Sequence, residues 1–294
     1  MRKAVVLFLS FFFSAATLAQ EVDLLKMLGE ENQETEKVRN AFKSTRVIMG
    51  HSTEMLAAGV LDFRILHRFG RVNEGPYEMF GLDKASIRLG LDYAISNRFT
   101  VGAGRSTTKK ETDAFLKTRL LWQTTGAKNF PFALTLVNGI TADGLKWQDP
   151  ERTNYFSSRL SYYHQLIIAR KFSESFSLQL SPTVVHRNLV QLSTQENDIG
   201  ALGIGSRLKL TKRIALMLDY FYVPKRGSDE FISPLSVGFD IETGGHVFQL
   251  HFTNALGMNE RAFIADTAGK WEKGDIHFGF NISRVFTLST KNRR

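Results

Sequence analysis

Asp275-Ile-His-Phe-Gly-Phe-Asn-Ile-Ser283 decides how this chain of 294 residues folds. Its even positions, Ile276, Phe278, Phe280 and Ile282, are apolar, while Asp275, His277, Gly279, Asn281 and Ser283 are polar or small. Successive side chains of a strand point to opposite faces, so this alternation makes a strand with one greasy and one wet side. The pattern recurs at 86–93, where Ile87, Leu89, Leu91 and Tyr93 oppose Ser86, Arg88, Gly90 and Asp92. It recurs again at 175–183, with Phe176, Leu178 and Leu180 opposed to Ser177, Gln179 and Ser181.

Extending this reading predicts twelve strands, at 60–69, 85–95, 98–106, 113–123, 130–140, 155–170, 175–186, 199–210, 213–222, 235–242, 246–254 and 275–288. Residues 45–49 read as a further short strand or as a segment leading into the first. The connections alternate in length. Short turns at 96–97, 124–129, 172–174, 211–212 and 243–245 separate long polar loops at 70–84, 142–154, 187–198, 223–234 and 255–274, with 107–112 a modest member of the long set. Tight turns at one end and long loops at the other, over strands of about ten residues, are the pattern of outer-membrane barrels, whose turns face the periplasm.

Aromatic residues fall where two interfacial girdles would need them. Tyr93, Phe99, Trp122, Phe132, Phe176 and Phe286 lie on the inferred outer face near the short turns, and Phe69, Phe156 and Tyr222 near the long loops. A soluble sandwich or lipocalin-type barrel also alternates, but it turns its apolar face inward, and twelve strands closed that way enclose a very wide interior. The expected fold is therefore all-β, a transmembrane antiparallel barrel of about twelve strands over residues 44–294.

Composition narrows the chemistry. The chain has 24 Phe, 23 Gly and no Cys, so disulfide frameworks, thiolate metal sites, cysteine nucleophiles and N-terminal lipidation drop out. Arg2 and Lys3 precede an apolar run over 4–13 and a small-residue stretch over 14–19, with Thr17 and Ala19 placed for cleavage before Gln20. Residues 1–19 thus read as a signal peptide, and loss of Arg2 and Lys3 lowers the net charge from +9 to +7. In an exported protein this basic balance speaks against nucleic acid and for anionic solutes or lipopolysaccharide-like surfaces. Residues 20–43 are polar and mixed in charge, and Leu24, Leu25 and Leu28 recur at helical spacing, which suggests a short periplasmic helix and linker.

Four stretches resemble an uncharacterised family of outer-membrane β-barrel proteins from Bacteroidetes-type bacteria, known as a domain of unknown function. They are His67-Arg-Phe-Gly70, Phe80-Gly-Leu-Asp-Lys-Ala-Ser-Ile-Arg-Leu-Gly-Leu-Asp-Tyr93, Val101-Gly-Ala-Gly-Arg-Ser106 and Lys110-Glu-Thr-Asp-Ala-Phe-Leu-Lys117. The chain departs from the family at Ser96-Asn97-Arg98, where an Asp often precedes the basic residue; Asn keeps the turn chemistry. The resemblance implies a barrel and a location and brings no substrate or catalytic residue; the partners expected of such a barrel are outer-membrane lipid and lipopolysaccharide, small anionic solutes and the barrel-assembly machinery.

The inward phase carries Arg64 and Arg68 on the first strand, Arg88 on the second, Lys117 and Arg119 on the fourth, Arg159 on the sixth and Arg207 and Lys209 on the eighth. Against these eight stand Asp62, Asp92, Asp219 and Asp240. One reading is a cationic lumen that attracts small anions. The other is a ladder of cross-strand ion pairs, for example Arg64 with Asp92, that fills and stiffens the interior.

Enzymatic arrangements are sparse. His251-Phe-Thr-Asn254 faintly resembles the His-x-Ser-Asn of outer-membrane phospholipases, but Thr253 stands where the nucleophile belongs. The other histidines show no metal-binding spacing, and Gly102-x-Gly104 and Gly200-Ala-Leu-Gly203-Ile-Gly205 lack the following helix of a phosphate loop, so no metal or cofactor is expected. The leading functional reading is a passive channel. A non-conducting barrel for anchoring, assembly or surface interaction comes second, and a lipid-modifying enzyme third. N-terminal sequencing of protein from the outer-membrane fraction should begin at Gln20; full-length chain in the inner membrane would refute this topology.

Overall fold

The computed structural model describes residues 34–289 apart from 148, 191, 225–230 and 244–245. The expected signal peptide and the stretch with Leu24, Leu25 and Leu28 lie outside the described residues. Twelve strands form a closed antiparallel barrel. In chain order the strands are β1 (Glu36–Lys37), β2 (Val60–Arg71), β3 (Ala85–Ala94), β4 (Phe99–Ser106), β5 (Thr112–Leu121), β6 (Thr124–Thr125), β7 (Ala133–Ala142), β8 (Leu160–Lys171), β9 (Phe176–Arg187), β10 (Asp198–Lys209), β11 (Ile214–Tyr222), β12 (Leu235–Thr243), β13 (His246–Thr253) and β14 (His277–Thr287).

The barrel uses all of these except β1 and β6, which pair with each other beside the short-turn end, Glu36 opposite Thr125. Each of the twelve expected strands is present, shifted by a few residues at its ends. Closure runs through β14 and β2, with Ile282 opposite Ile65 and Ser283 opposite Arg64. Among the described residues no helix is long and apolar enough to cross a membrane.

Burial follows the alternation with the sense of a membrane protein. Leu89 is 45% exposed and Leu91 51%, whereas Arg64, Arg88 and Asp62 are each 2% exposed or less. Charges inside and leucine, valine and phenylalanine outside invert the order of a water-soluble domain, and they suit a wall set in hydrocarbon.

Glycine sets the thickness of this wall. Gly102 lies opposite Phe115, Gly139 opposite Tyr163 and Gly203 opposite Phe221, all on the inner face. Each aromatic ring lies across its glycine, so that a Cβ at 139 would sit 2.0 Å from the Tyr163 ring. The glycine-rich runs are seats for large lumen side chains and hold no phosphate loop.

The sixth barrel strand begins later than expected. Phe156–Arg159 is a 3-10 turn, and β8 starts at Leu160. Arg159 therefore stays at the rim, stacked 3.7 Å from the Trp147 ring centre and donating to the carbonyls of Asp143 and Leu145. Stacking on the indole holds the guanidinium over the loop, which corrects its assignment to the lumen. Lys209 ends β10 at the short-turn rim, half-buried.

Leu89 lies halfway along β3, so Leu89→Arg should cost roughly 2–4 kcal/mol in unfolding from bilayers, as expected for a cation near the midplane. Arginine at a rim position such as Phe99 should cost far less, and equal costs at the two positions would show that the wall does not span hydrocarbon.

Candidate functional site

The interior is occupied by the chain itself. After β1 the backbone turns into the barrel at the short-turn end, where Lys43 pairs with Glu242 at 3.2 Å near the end of β12. It climbs to a tight turn at 47–50, where Val47 N donates to Gly50 O, and descends through an Arg46 to His51 bridge. It leaves beside the 96–97 turn, where Ala58 N donates to Asn97 Oδ1. Phe42, Val47, Ile48, Met49, His51 and Ser52 are all buried. The sequence explains this loop. Val47-Ile-Met49 is an apolar knot between hydroxyl-rich arms, Ser44-Thr45 and Ser52-Thr53, and Gly50 lies under the Phe221 ring, where a Cβ would be 2.7 Å away.

The wall grips this plug mainly by its backbone. Asp219 of β11 accepts three consecutive N–H groups at the tip, from Ile48 (3.2 Å), Met49 (2.8 Å) and Gly50 (2.9 Å). Gln249 of β13 donates to Val47 O, and Asn281 of β14 to Ile48 O. Gln179 of β9 both donates to His51 O and accepts from Thr53 N. Because side chains on alternate positions face inward, one residue per strand suffices to reach the plug.

The basic residues take part in the same grip. Lys117 donates to Glu54 O at 2.5 Å and lies 3.4 Å from Thr45 O; Arg119 donates to Thr53 O and stacks on Trp122. Arg64 reaches Thr45 Oγ1 at 2.5 Å and Ser44 Oγ at 2.9 Å. Its carboxylate partner is Asp62 of its own strand at 3.0 Å, in place of the Asp92 expected from sequence. Arg88 forms a two-pronged pair with Asp113 at 2.8 and 2.5 Å, and Arg207 lies 3.4 Å from Glu242. Arg68 has no carboxylate contact, donating to His67 O and Asn281 Oδ1, and its Nε and Nη2 find no partner among the described residues.

A second stopper descends from the opposite end. The 255–274 loop, expected to stand outside, folds its first half into the mouth as helix α1 (Glu260–Ala265), capped by Asn259, whose side chain accepts from Ala262 N. The two stoppers meet. Glu260, fully buried, accepts from Arg46 at 2.9 Å and from His51 N at 3.3 Å, and Phe263 lies against Phe221 with ring centres 4.8 Å apart. Outside this contact Arg261 binds Glu111 at 2.9 Å and also Asp266, which Lys109 reaches at 2.7 Å. Burial pushes the Asp266 carboxyl up, but Arg261 and Lys109 outweigh it and hold the group below its ordinary range. Burial pushes Glu111 up in spite of Arg261.

Six of the eight expected lumen cations, Arg64, Arg68, Arg88, Lys117, Arg119 and Arg207, are buried inside, Lys209 is at the rim and Arg159 on a loop. Asp113 shares the inward phase of Lys117 and Arg119 and was legible from parity, although it was absent from the expected acidic set. Arg46 and Glu260 lie outside every strand and carry no periodic signal. His251 faces inward and is buried, while the Thr253 hydroxyl donates to Met49 Sδ and accepts from Ala255 N rather than engaging the imidazole. Among the described residues no three His, Asp or Glu side chains are grouped to hold a metal.

A family model described as membrane bound beta barrel domain (DUF5777) matches residues 42–286. Among solved structures, the NanC porin superposes with a TM-score of 0.50 at 7% identity, covering 78% of this chain and 99% of its own. The KdgM porin does so with a TM-score of 0.45 at 8% identity, with the same coverage of both chains. At this identity the likeness is one of fold, a porin-like barrel. No curated protein matches.

The chain has no thiol of its own, so Met49→Cys at the plug tip reports plug exposure without background. Maleimide should label it slowly. Adding Asp219→Ala orphans three N–H groups, at about 1–3 kcal/mol for each group left unpaired, and should raise the labelling rate by at least tenfold. Equal rates would mean that Asp219 does not hold the tip.

Proposed function

This chain belongs to the DUF5777 family of membrane-bound β-barrel domains, and from that premise we propose that it is a gated outer-membrane solute channel whose resting state is closed by residues 41–58. One observation carries the reading: Arg64, Lys117 and Arg119 hold the plug through hydroxyl and carbonyl oxygens. A carbonyl oxygen satisfies a donor without neutralising its charge. Water or a solute anion supplies the same bonds, so the plug is exchangeable at these contacts in a way that a buried ion-pair partner is not.

When the plug withdraws toward the periplasm, the charges it covered line the path. Arg64 on β2 and Lys117 and Arg119 on β5 then face the same opening as Arg68 and Arg207, five cations against the four carboxylates Asp62, Asp92, Asp219 and Asp240. A low-dielectric wall focuses such a field, so small anions are the favoured solutes, more strongly at low salt. The fully paired Arg88 and Asp113 contribute structure and little field.

A second reading is a permanently closed barrel that serves anchoring, assembly or surface interaction. The contact of Arg46 with Glu260 favours it, because it joins both stoppers through a buried ion pair, and breaking such a pair by removing one partner is expensive. A lipid-modifying activity has no comparable support.

Planar-bilayer recordings separate the two. The natural protein should be silent most of the time, and Asp219→Ala should open frequently, with a zero-current potential in a salt gradient that reports anion preference. Adding Lys117→Gln and Arg119→Gln to the open variant should lower that preference severalfold while conductance persists. Silence of every variant, with barrels still folded by gel migration, would establish the closed reading. Cation preference in Asp219→Ala would show that acidic loop residues control the path.

A further inference from the structure

The outer wall is dented where β12, β13 and β14 approach the long-loop end. A groove of about 670 Å³ runs there between the outward side chains of Val237, Phe239, Leu250, Phe252 and Phe278, with Trp271 beside it. Its origin lies on the inner face. In register across the three strands stand Gly238, His251 and Gly279, so one imidazole is flanked on both sides by glycine. A Cβ at 238 would lie 2.2 Å from Leu250 O, and one at 279 would lie 2.7 Å from His251 Nε2. Glycine makes room for the imidazole inside, and β14 shifts register against β2 between His277 and Gly279, an irregularity of the kind that bends a strand.

The groove is built rather than incidental. Trp271 opens a 3-10 turn, Trp271–Lys273, and its indole N–H donates to Leu235 O at 3.1 Å, which uses the polar edge and leaves the ring for apolar contact. The turn is tied down by Asn73, whose amide donates to Lys273 O at 3.0 Å and Asp275 Oδ1 at 2.9 Å, with Arg71 on the same carboxylate at 3.3 Å. Phe252 and Phe278 pack at 5.4 Å between ring centres and form the floor on one side. Asn73 and Gly274 line the groove at this end; Arg71, half-exposed, shares the Asp275 carboxylate with Asn73, and Lys273 is exposed in the turn next to Gly274.

We propose that this groove is a lipid site, which holds one acyl chain of a phosphate-bearing lipid from the leaflet on the long-loop side. Three features select that occupant. The groove opens through lipid-facing positions of membrane strands, so hydrocarbon is what meets it. Its walls are aliphatic and aromatic side chains, which a chain fills and water leaves as a void at the cost of packing contacts. Its long-loop end combines a tryptophan with the exposed Lys273, which neighbours groove-lining Gly274, and Arg71, which is half-exposed on the far side of Asp275; basic groups beside an interfacial ring suit a phosphate above a buried chain. The site is independent of whether the lumen conducts.

The test uses Trp271 as the only tryptophan, in a full-length protein carrying Trp122→Phe and Trp147→Phe, refolded into phosphatidylcholine vesicles. Chain-brominated phosphatidylglycerol is then mixed in at increasing mole fraction. A site makes quenching run ahead of the mole fraction, with half its effect at a severalfold lower content than chance contact gives. Val237→Phe and, separately, Leu250→Phe fill the groove without adding a tryptophan and should return the quenching of Trp271 to chance while heat-modifiable migration shows a folded barrel. Quenching of Trp271 proportional to mole fraction in the unfilled protein would reduce the groove to ordinary annular contact and overturn the proposal. Strong quenching by aqueous iodide would overturn it as well, because the ring would then face water.

Discussion

A ring of twelve strands with polar inner faces has to be either wet or filled, and in this protein it is filled by its own backbone. The three N–H groups at 48–50 that converge on Asp219 are where that constraint is met most fully. Without water a carboxylate needs donors, and a turn tip needs acceptors. Gln179, Gln249 and Asn281 apply the same logic with amides, which supply a donor and an acceptor from a single side chain. The rest of the interior follows, since the glycine seats make room for the aromatic side chains and the aromatic side chains leave a slot as wide as one narrow loop.

Electrostatics adds an asymmetry to this filling. The plug carries Lys43 and Arg46 against Glu54 alone, so it brings a further positive charge to a wall that is rich in cations. Arg68 shows the consequence most plainly, buried with two of its nitrogens unpartnered among the described residues. Unsatisfied donors of this kind oppose the filled state, and the contact of Arg46 with Glu260 acts against them. The balance between these two opposing contributions distinguishes a sealed barrel from one that opens.

The wall was legible in the sequence and its contents were not. Period-two alternation marks each of the twelve barrel strands, and parity places Arg64, Arg88 and Lys117 inside because a strand allows only two directions. Arg159 fails that reasoning for a local cause: no proline or glycine breaks 155–159, and Arg159 is held at the rim by stacking on Trp147 of the preceding loop, a contact that parity along one strand does not register. The plug fails it for a general one. Val47-Ile-Met49 is apolar for enclosure on all sides, and a segment buried all round has no face for a period to reveal. The inward fold of the 255–274 loop rests on Arg46 and Glu260, which are 214 residues apart.

The plug lies directly before the first barrel strand, β2, and the ring is shut by the last barrel strand, β14, against that same strand. A loop that enters the barrel from one end and leaves by the same end can be lodged only before that seam zips, or else be pushed in afterwards. Its partners lie on β2, β5, β9, β11, β13 and β14, elements scattered over nearly the whole sequence. Bringing the first and last strands together means closing a loop of more than two hundred residues, whose entropy grows with length and slows folding. A segment made early, and able to bind successive strands as they arrive, divides that closure into shorter steps. The same hairpin would then serve as a mandrel on which the wall is wound, and only later as its stopper.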